Sequence, residues 1–171
     1  MVTAISALRF ALAAGWIALW YAGRRDPLLL GSIATVAAAS DFLDGRLARM
    51  LRVESVGGRW LDTLADFTFI LVALTVESWS GTIPAYIPIL FAILFAQYAL
   101  DSLILRGPRA APIGSRLGHV AGVANFALVI VLGFAPAHQI PGRLMRDIAP
   151  LLAVLYLAAM VERAARYPWR A

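Results

Sequence analysis

The stretch SDFLDGRLARMLRVESVGGRWLDTLADF, residues 40–67, carries four aspartates and four arginines between two segments apolar enough to lie in a lipid bilayer. The aspartates form two pairs. Asp41 and Asp44 are spaced i,i+3, Asp62 and Asp66 i,i+4, so each pair occupies one face of a helix. The pairs are also arranged symmetrically about position 53, so an antiparallel hairpin turning near Arg52 to Ser55 brings all four carboxylates to matching depth. At a rise of about 1.5 Å per residue they lie roughly 13 to 19 Å from the turn, inside the bilayer and near one of its faces. Burying a charge at such a depth costs at least ~2.5 kcal/mol, and like charges repel besides. A cationic partner is therefore required. Arg49 and Arg59 can supply part of it, but clustered carboxylate oxygens without His or Cys suit hard divalent cations such as Mg²⁺ or Mn²⁺. Two such ions about 3.5 to 4 Å apart would clamp the attacking and leaving oxygens of a phosphoryl transfer. Gly45, Ala48, Gly57 and Gly58 keep side-chain bulk low where helices or a pyrophosphate must approach closely.

Outward from this stretch the chain is apolar: 61% of its 171 residues are hydrophobic and the mean hydropathy is strongly positive. An all-α integral membrane protein with six transmembrane helices is expected, near residues 3–22, 27–49, 59–79, 83–105, 114–135 and 146–165. Together these make a single membrane domain over 1–171, without internal repeat or linker. The first segment lacks a basic leader and is long enough to span, so it reads as a retained helix and not a signal peptide. There is no cysteine, which excludes disulfides, thiolate metal sites and cysteine nucleophiles. Every basic residue apart from histidine is an arginine. Ten of the fifteen fall on one side of the expected spans (Arg46, Arg49, Arg52, Arg59, Arg106, Arg109, Arg116, Arg163, Arg166, Arg170), against four on the other (Arg24, Arg25, Arg143, Arg146). Under the positive-inside rule both termini and the aspartate stretch face the cytoplasm. Nucleic acid is not an expected partner, because no soluble basic domain is available to bind it. Trp16, Trp20, Trp60, Trp79 and Trp169 lie mostly near span ends, as an interfacial belt would.

The pattern Asp41-x2-Asp44-Gly45-x2-Ala48-Arg49-x8-Gly58-x3-Asp62-x3-Asp66 resembles the complete signature of the CDP-alcohol phosphotransferase family, with eight fixed positions over 26 residues and none departing. Ser6-x-x-Arg9 is similar to the Thr-x-x-Arg of many members, although the asparagine that often stands three residues earlier is Thr3 here. The resemblance implies a phospholipid-synthesising transferase of the cytoplasmic membrane of a prokaryote, acting as a homodimer. It would pass the substituted phosphoryl group of a CDP-alcohol such as CDP-diacylglycerol to an acceptor hydroxyl and release CMP. By the family's pattern Asp41, Asp44, Asp62 and Asp66 bind two divalent metals, Ser6, Gly45, Ala48, Arg49 and Gly58 bind the CDP donor, and Asp66 is the base.

Other readings compete. Intramembrane aspartates can line a proton or cation pathway, the motif can persist in an inactive scaffold, and Gly57 and Gly58 can be ordinary helix-start residues. The acceptor is less determined. Arg106, Arg109, Arg116 and His119 surround the fourth-to-fifth helix junction, where they can hold a phosphate, which makes glycerol 3-phosphate the leading acceptor. Inositol phosphate, serine and phosphatidylglycerol stay open, as does a soluble CDP-amino-alcohol donor with diacylglycerol as acceptor. IGSRLGH, residues 113–119, partly resembles the corresponding helix start of phosphatidylglycerophosphate synthases, whereas their Ala-Arg-Glu appears here as Ala96-Gln97-Tyr98. Gln97 and Asp101 can contact acceptor hydroxyls or form structural pairs, and Asn125 can be interhelical glue.

Overall fold

The computed structural model describes residues 2–51, 55–107, 110–135 and 142–166, with no strand among them. Six helices follow in order: α1 (Val2–Tyr21), α2 (Pro27–Leu51), α3 (Val56–Trp79), α4 (Tyr86–Arg106), α5 (Arg116–Phe134) and α6 (Gly142–Arg166). Each expected segment holds one helix, and the boundaries move where local chemistry requires. Asp26 opens α2 by accepting from the backbone N–H groups of Leu28 (2.9 Å) and Leu29 (3.3 Å), with Pro27 at the position where a missing N–H costs nothing. α4 starts at Tyr86, later than expected, because Pro84 disfavours helical backbone at Ile83. Ile83 nonetheless buries its side chain. α6 starts at Gly142, earlier than expected, so Arg143 and Arg146 form its first turns.

α3 is the central helix, packing against α1, α2, α4 and α5; α1 lies along both α2 and α3, α2 along α5, and α6 against α4 and α5. The two aspartate-bearing helices touch directly but pack more extensively on α1, so they are not a bare hairpin. Their connecting residues 52–54 lie outside the described ones. Phe69, Ala73 and Leu74 of α3 are fully enclosed, with Trp16 set edge-on to Phe69 at 6.0 Å. Trp16 thus belongs to the core and not to the expected belt, because the middle of α1 faces α3. Trp20 and Trp79 do meet at one end of the bundle, 5.6 Å apart, while Trp169 is outside the described residues.

The outward faces carry the large apolar side chains: Leu28, Val36, Leu100, Ile104, Leu151, Val154 and Val161 are all exposed. Water-soluble domains rarely leave so much apolar surface uncovered, whereas lipid solvates it. Among the described residues three helices are long and apolar enough to cross a membrane, Tyr86–Leu105, Arg116–Phe134 and Leu144–Arg166, with a shorter apolar helix at Pro27–Leu43. In lipid, burying Leu against Leu gains little, so small residues that let backbones approach hold such helices together. α2 and α5 do this at Gly31 and Gly133. A Cβ on Gly133 would stand 2.9 Å from the backbone nitrogen of Gly31, a contact that ordinary side chains do not make. Gly133→Ala is therefore expected to lose about 1–3 kcal/mol by overpacking, read as a lower melting temperature in detergent at unchanged helix content. An unshifted melting temperature would show that α2 and α5 do not depend on this approach.

Candidate active site

α1, α2 and α3 bring three of the four motif aspartates together. Asp41, Asp62 and Asp66 each offer a carboxylate oxygen within 4.8 Å of the others. Behind them lies Arg9, whose side chain is 0% exposed, against 39%, 29% and 23% for the three aspartates. The guanidinium thus closes the cluster from the bundle interior while the carboxylates keep an open outer edge. Nη2 of Arg9 donates to Oδ1 of Asp62 at 2.6 Å, and Nη1 donates to Oδ1 of Asp66. Nη1 also approaches Oδ1 of Asp41 at 3.5 Å and the backbone carbonyl of Asp62 at 3.4 Å. Buried Ser6, one turn earlier on α1, reaches Oδ1 of Asp62 at 3.4 Å.

The donor set fits a divalent cation. It is all carboxylate oxygen, the preference of hard ions, and its formal charge is −3 + 1 = −2 for three aspartates and one arginine. One divalent cation would neutralise that remainder.

A cleft of about 310 Å³ opens beside the cluster, with Asp41 and Asp66 on one wall and Ser115, Gly118 and His119 of α5 on the other. Towards the bundle centre it becomes aromatic. Phe67 stacks on Phe95 with ring centroids 3.7 Å apart, and Phe91 and Phe126 continue the wall. A polar mouth leading into an apolar interior suits a molecule with a charged head and a hydrocarbon body.

The α5 wall is held by α3, α4 and α6. Trp60 donates to the carbonyl of Ala110 at 3.1 Å. Arg163 donates to the carbonyl of Ile113 at 2.7 Å and, through Nε, to Asp101 at 3.1 Å; its guanidinium also lies 4.8 Å from the Tyr98 ring centre. Ser102 accepts from the Ile113 N–H at 3.0 Å, and Glu162 accepts from the Leu117 N–H at 2.8 Å, a negative charge placed at a helix N-terminus.

The helices α3 and α5 open with the same cap. Ser55 accepts from the N–H of Gly58 at 3.0 Å, and Ser115 from that of Gly118 at 3.1 Å. A Cβ on Gly58 would come within 2.9 Å of the capping oxygen, and one on Gly118 within 2.6 Å. Gly58 thus has a local reason to be glycine besides any contact with a ligand. Gly58→Ala is expected to displace the Ser55 hydroxyl and cost about 0.5–2 kcal/mol, the worth of an N-cap. With Ser55→Ala already present, the same change should cost much less. Equal costs in both backgrounds, measured by thermal melts, would contradict the cap.

The structure locates the other expected residues unevenly. Asp44, Gly45, Ala48 and Arg49 fall on α2, with side chains outside the described ones, and the same holds for Arg106 on α4; Arg109 lies outside the described residues altogether. Arg116 is exposed and does not line the cleft, whereas His119 does. Arg59, expected to offset the carboxylates, is exposed at the start of α3, and the enclosed offset comes from Arg9. The signal for Arg9 was present, since a lone arginine in an apolar helix implies a carboxylate partner. Gln97 donates to the carbonyl of Met160 at 3.1 Å and Asp101 pairs with Arg163, so both tie α4 to α6. Asn125 accepts from the hydroxyl of Tyr156, the interhelical bond expected of it.

Comparison with known proteins agrees with this geometry. Residues 1–162 match the family model described as CDP-alcohol phosphatidyltransferase. A relative from Pectobacterium atrosepticum named CDP-diacylglycerol--glycerol-3-phosphate 3-phosphatidyltransferase is 31% identical over 140 residues, 79% of this chain and 72% of the relative. One of the same name from Yersinia pestis is 29% identical over the same shares. A third, from Cereibacter sphaeroides, is 38% identical over 69 residues, 40% of this chain and 31% of the relative. The transporter reading of the carboxylates finds no support in these matches. This chain, with its carboxylate cluster beside a cleft that turns from polar to aromatic, belongs to the CDP-alcohol phosphatidyltransferase family of phospholipid-synthesising membrane enzymes.

Proposed function

We propose that the protein transfers the phosphatidyl group of CDP-diacylglycerol to glycerol 3-phosphate, releasing CMP. The observation that carries this reading is the convergence of Asp41, Asp62 and Asp66, of which Asp41 and Asp66 line a cleft that also carries Phe67, Phe91, Phe95 and Phe126. The relatives' names supply the donor and acceptor. The domain is taken as 1–171, spanning the bacterial inner membrane six times with both termini on the cytoplasmic side. Two features support that topology. The arginines are distributed asymmetrically, and Arg9, Asp41, Ser115 and Arg163, from the start of α1, the α2–α3 end, the α4–α5 junction and the end of α6, gather at one end of the bundle. A homodimer is proposed from the family resemblance alone.

Two divalent ions, Mg²⁺ or Mn²⁺, held by Asp41, Asp44, Asp62 and Asp66, would supply charge neutralisation on the pyrophosphate. Ser6, Gly45, Ala48, Arg49 and Gly58 would hold the CDP moiety, Arg49 through bidentate phosphate contact. The aromatic wall keeps water from the apolar part of the cleft. Asp66 takes the proton of the acceptor hydroxyl as its oxygen bonds to the lipid-side phosphorus, while the bond from that phosphorus to the bridging oxygen breaks and CMP departs.

Arg106, Arg109 and Arg116 are proposed to bind the acceptor phosphate, Arg116 from the exposed start of α5 outside the cleft lining. Replacing any one by alanine should remove a charge-assisted contact worth on the order of 1.5 to 3 kcal/mol, roughly a ten- to hundredfold loss in kcat/KM for glycerol 3-phosphate. The KM for CDP-diacylglycerol should barely change. A panel of labelled acceptors, assayed by CMP release in detergent, tests the assignment as a whole. Preference for a phosphate-free alcohol, or wild-type acceptor kinetics in all three variants, would return the acceptor to unknown.

A further inference from the structure

Arg9 engages the same three carboxylates that a divalent ion would use. Oδ1 of Asp62 and Oδ1 of Asp66 are both its acceptors, and Oδ1 of Asp41 stands 3.5 Å from Nη1. The arginine is fully enclosed and cannot trade these partners for water. Among the described residues, buried Arg163 at this end is engaged with Asp101, while Arg46 and Arg116 are exposed. Removing Arg9's charge would leave three carboxylates facing one another across α2 and α3 without the buried cation that now contacts all three.

We propose that Arg9 is a tethered counter-ion of the carboxylate cluster: it keeps Asp41, Asp62 and Asp66 assembled when no metal is bound, and it lowers metal affinity by offsetting part of their charge. The inference rests on the metal-dependent reading above and adds a positioning residue to it. Because the cluster is held in shape by a cation anchored on α1, it need not assemble around the ion, and the ion meets carboxylates whose charge is already partly offset. Binding is thereby weakened in exchange for a preformed site.

The test uses the full-length protein in a neutral detergent, with Mn²⁺ alone as the probe. Free Mn²⁺ is followed by electron paramagnetic resonance, and melting is measured in EDTA and in Mn²⁺. Arg9→Gln should bind Mn²⁺ on the order of tenfold more tightly, the change that about 1.4 kcal/mol produces. It should melt lower than wild type in EDTA and gain more on adding Mn²⁺. Arg24→Gln, an exposed arginine at the other end of the bundle, should move neither reading. An Mn²⁺ affinity equal to or weaker than wild type, or an EDTA melting temperature equal to wild type, overturns the proposal. If Arg9→Gln fails to fold, Arg9→Lys is read instead, since one ammonium cannot span three carboxylates; a match to wild type in both readings overturns it equally. Wild-type protein that takes up no Mn²⁺ would sink the metal-dependent reading itself, and the EDTA melts would still decide whether Arg9 holds the carboxylates together.

Discussion

Asp66→Asn is expected to lose about three orders of magnitude in turnover, within the range of roughly 10²–10⁴ that a general base supplies. The amide keeps the shape of the side chain but accepts no proton at pH 7. Much of the affinity for the CDP-linked donor should survive, because the other three aspartates and the donor-binding residues are untouched. Asp41→Asn and Asp44→Asn should behave differently, weakening metal dependence and donor binding together. The decisive comparison sets CMP release against equilibrium donor binding for each variant. Near-normal CMP release by Asp66→Asn would remove its assignment as base, and an unchanged metal requirement in the other two would remove theirs as ligands.

The second large effect is expected at the buried pair Asp101–Arg163, where the side chains are 2% and 1% exposed and the Nε–Oδ2 distance is 3.1 Å. Asp101→Ala leaves a guanidinium inside the bundle without that counter-charge, which typically costs about 3–5 kcal/mol. The same arginine holds the carbonyl of Ile113, so the loss should spread to the α5 wall of the cleft. A thermal melt should therefore fall well below wild type, and at a temperature where the variant is still folded the acceptor KM should rise more than the donor KM. Wild-type stability would show the pair to be dispensable. A rise confined to the donor KM would contradict the link between the Asp101–Arg163 pair and the acceptor side.

Much of the fold was legible in the hydropathy pattern: six helices stand where six segments were expected, and among the described residues three of them are long and apolar enough to cross a membrane. The exceptions were local. Pro84 delayed α4, and Arg143 and Arg146 proved compatible with an earlier start of α6. The aspartate faces were legible too, since helical spacing alone brings Asp62 and Asp66 to one side of α3. What spacing could not convey was which helix packs against both α2 and α3. That depends on packing at long sequence separation, so the enclosed counter-charge was sought in Arg49 and Arg59 while α1 supplied Arg9. The same limit applies to Arg163. Its place near the chain end made it look like charge at the membrane surface, yet α6 turns it inward to Asp101, Tyr98 and Ile113.

The central claim is a metal-dependent transfer between a CDP-linked lipid and a phosphorylated alcohol. Its most direct test follows both products in one reaction. Purified protein is mixed with CDP-diacylglycerol, radiolabelled glycerol 3-phosphate and Mg²⁺; CMP is measured in the aqueous phase and label in the organic phase. Equal amounts of CMP and labelled lipid are expected, both abolished by EDTA and by Asp66→Asn. CMP formed without labelled lipid, or labelled lipid formed unchanged in EDTA, would contradict it.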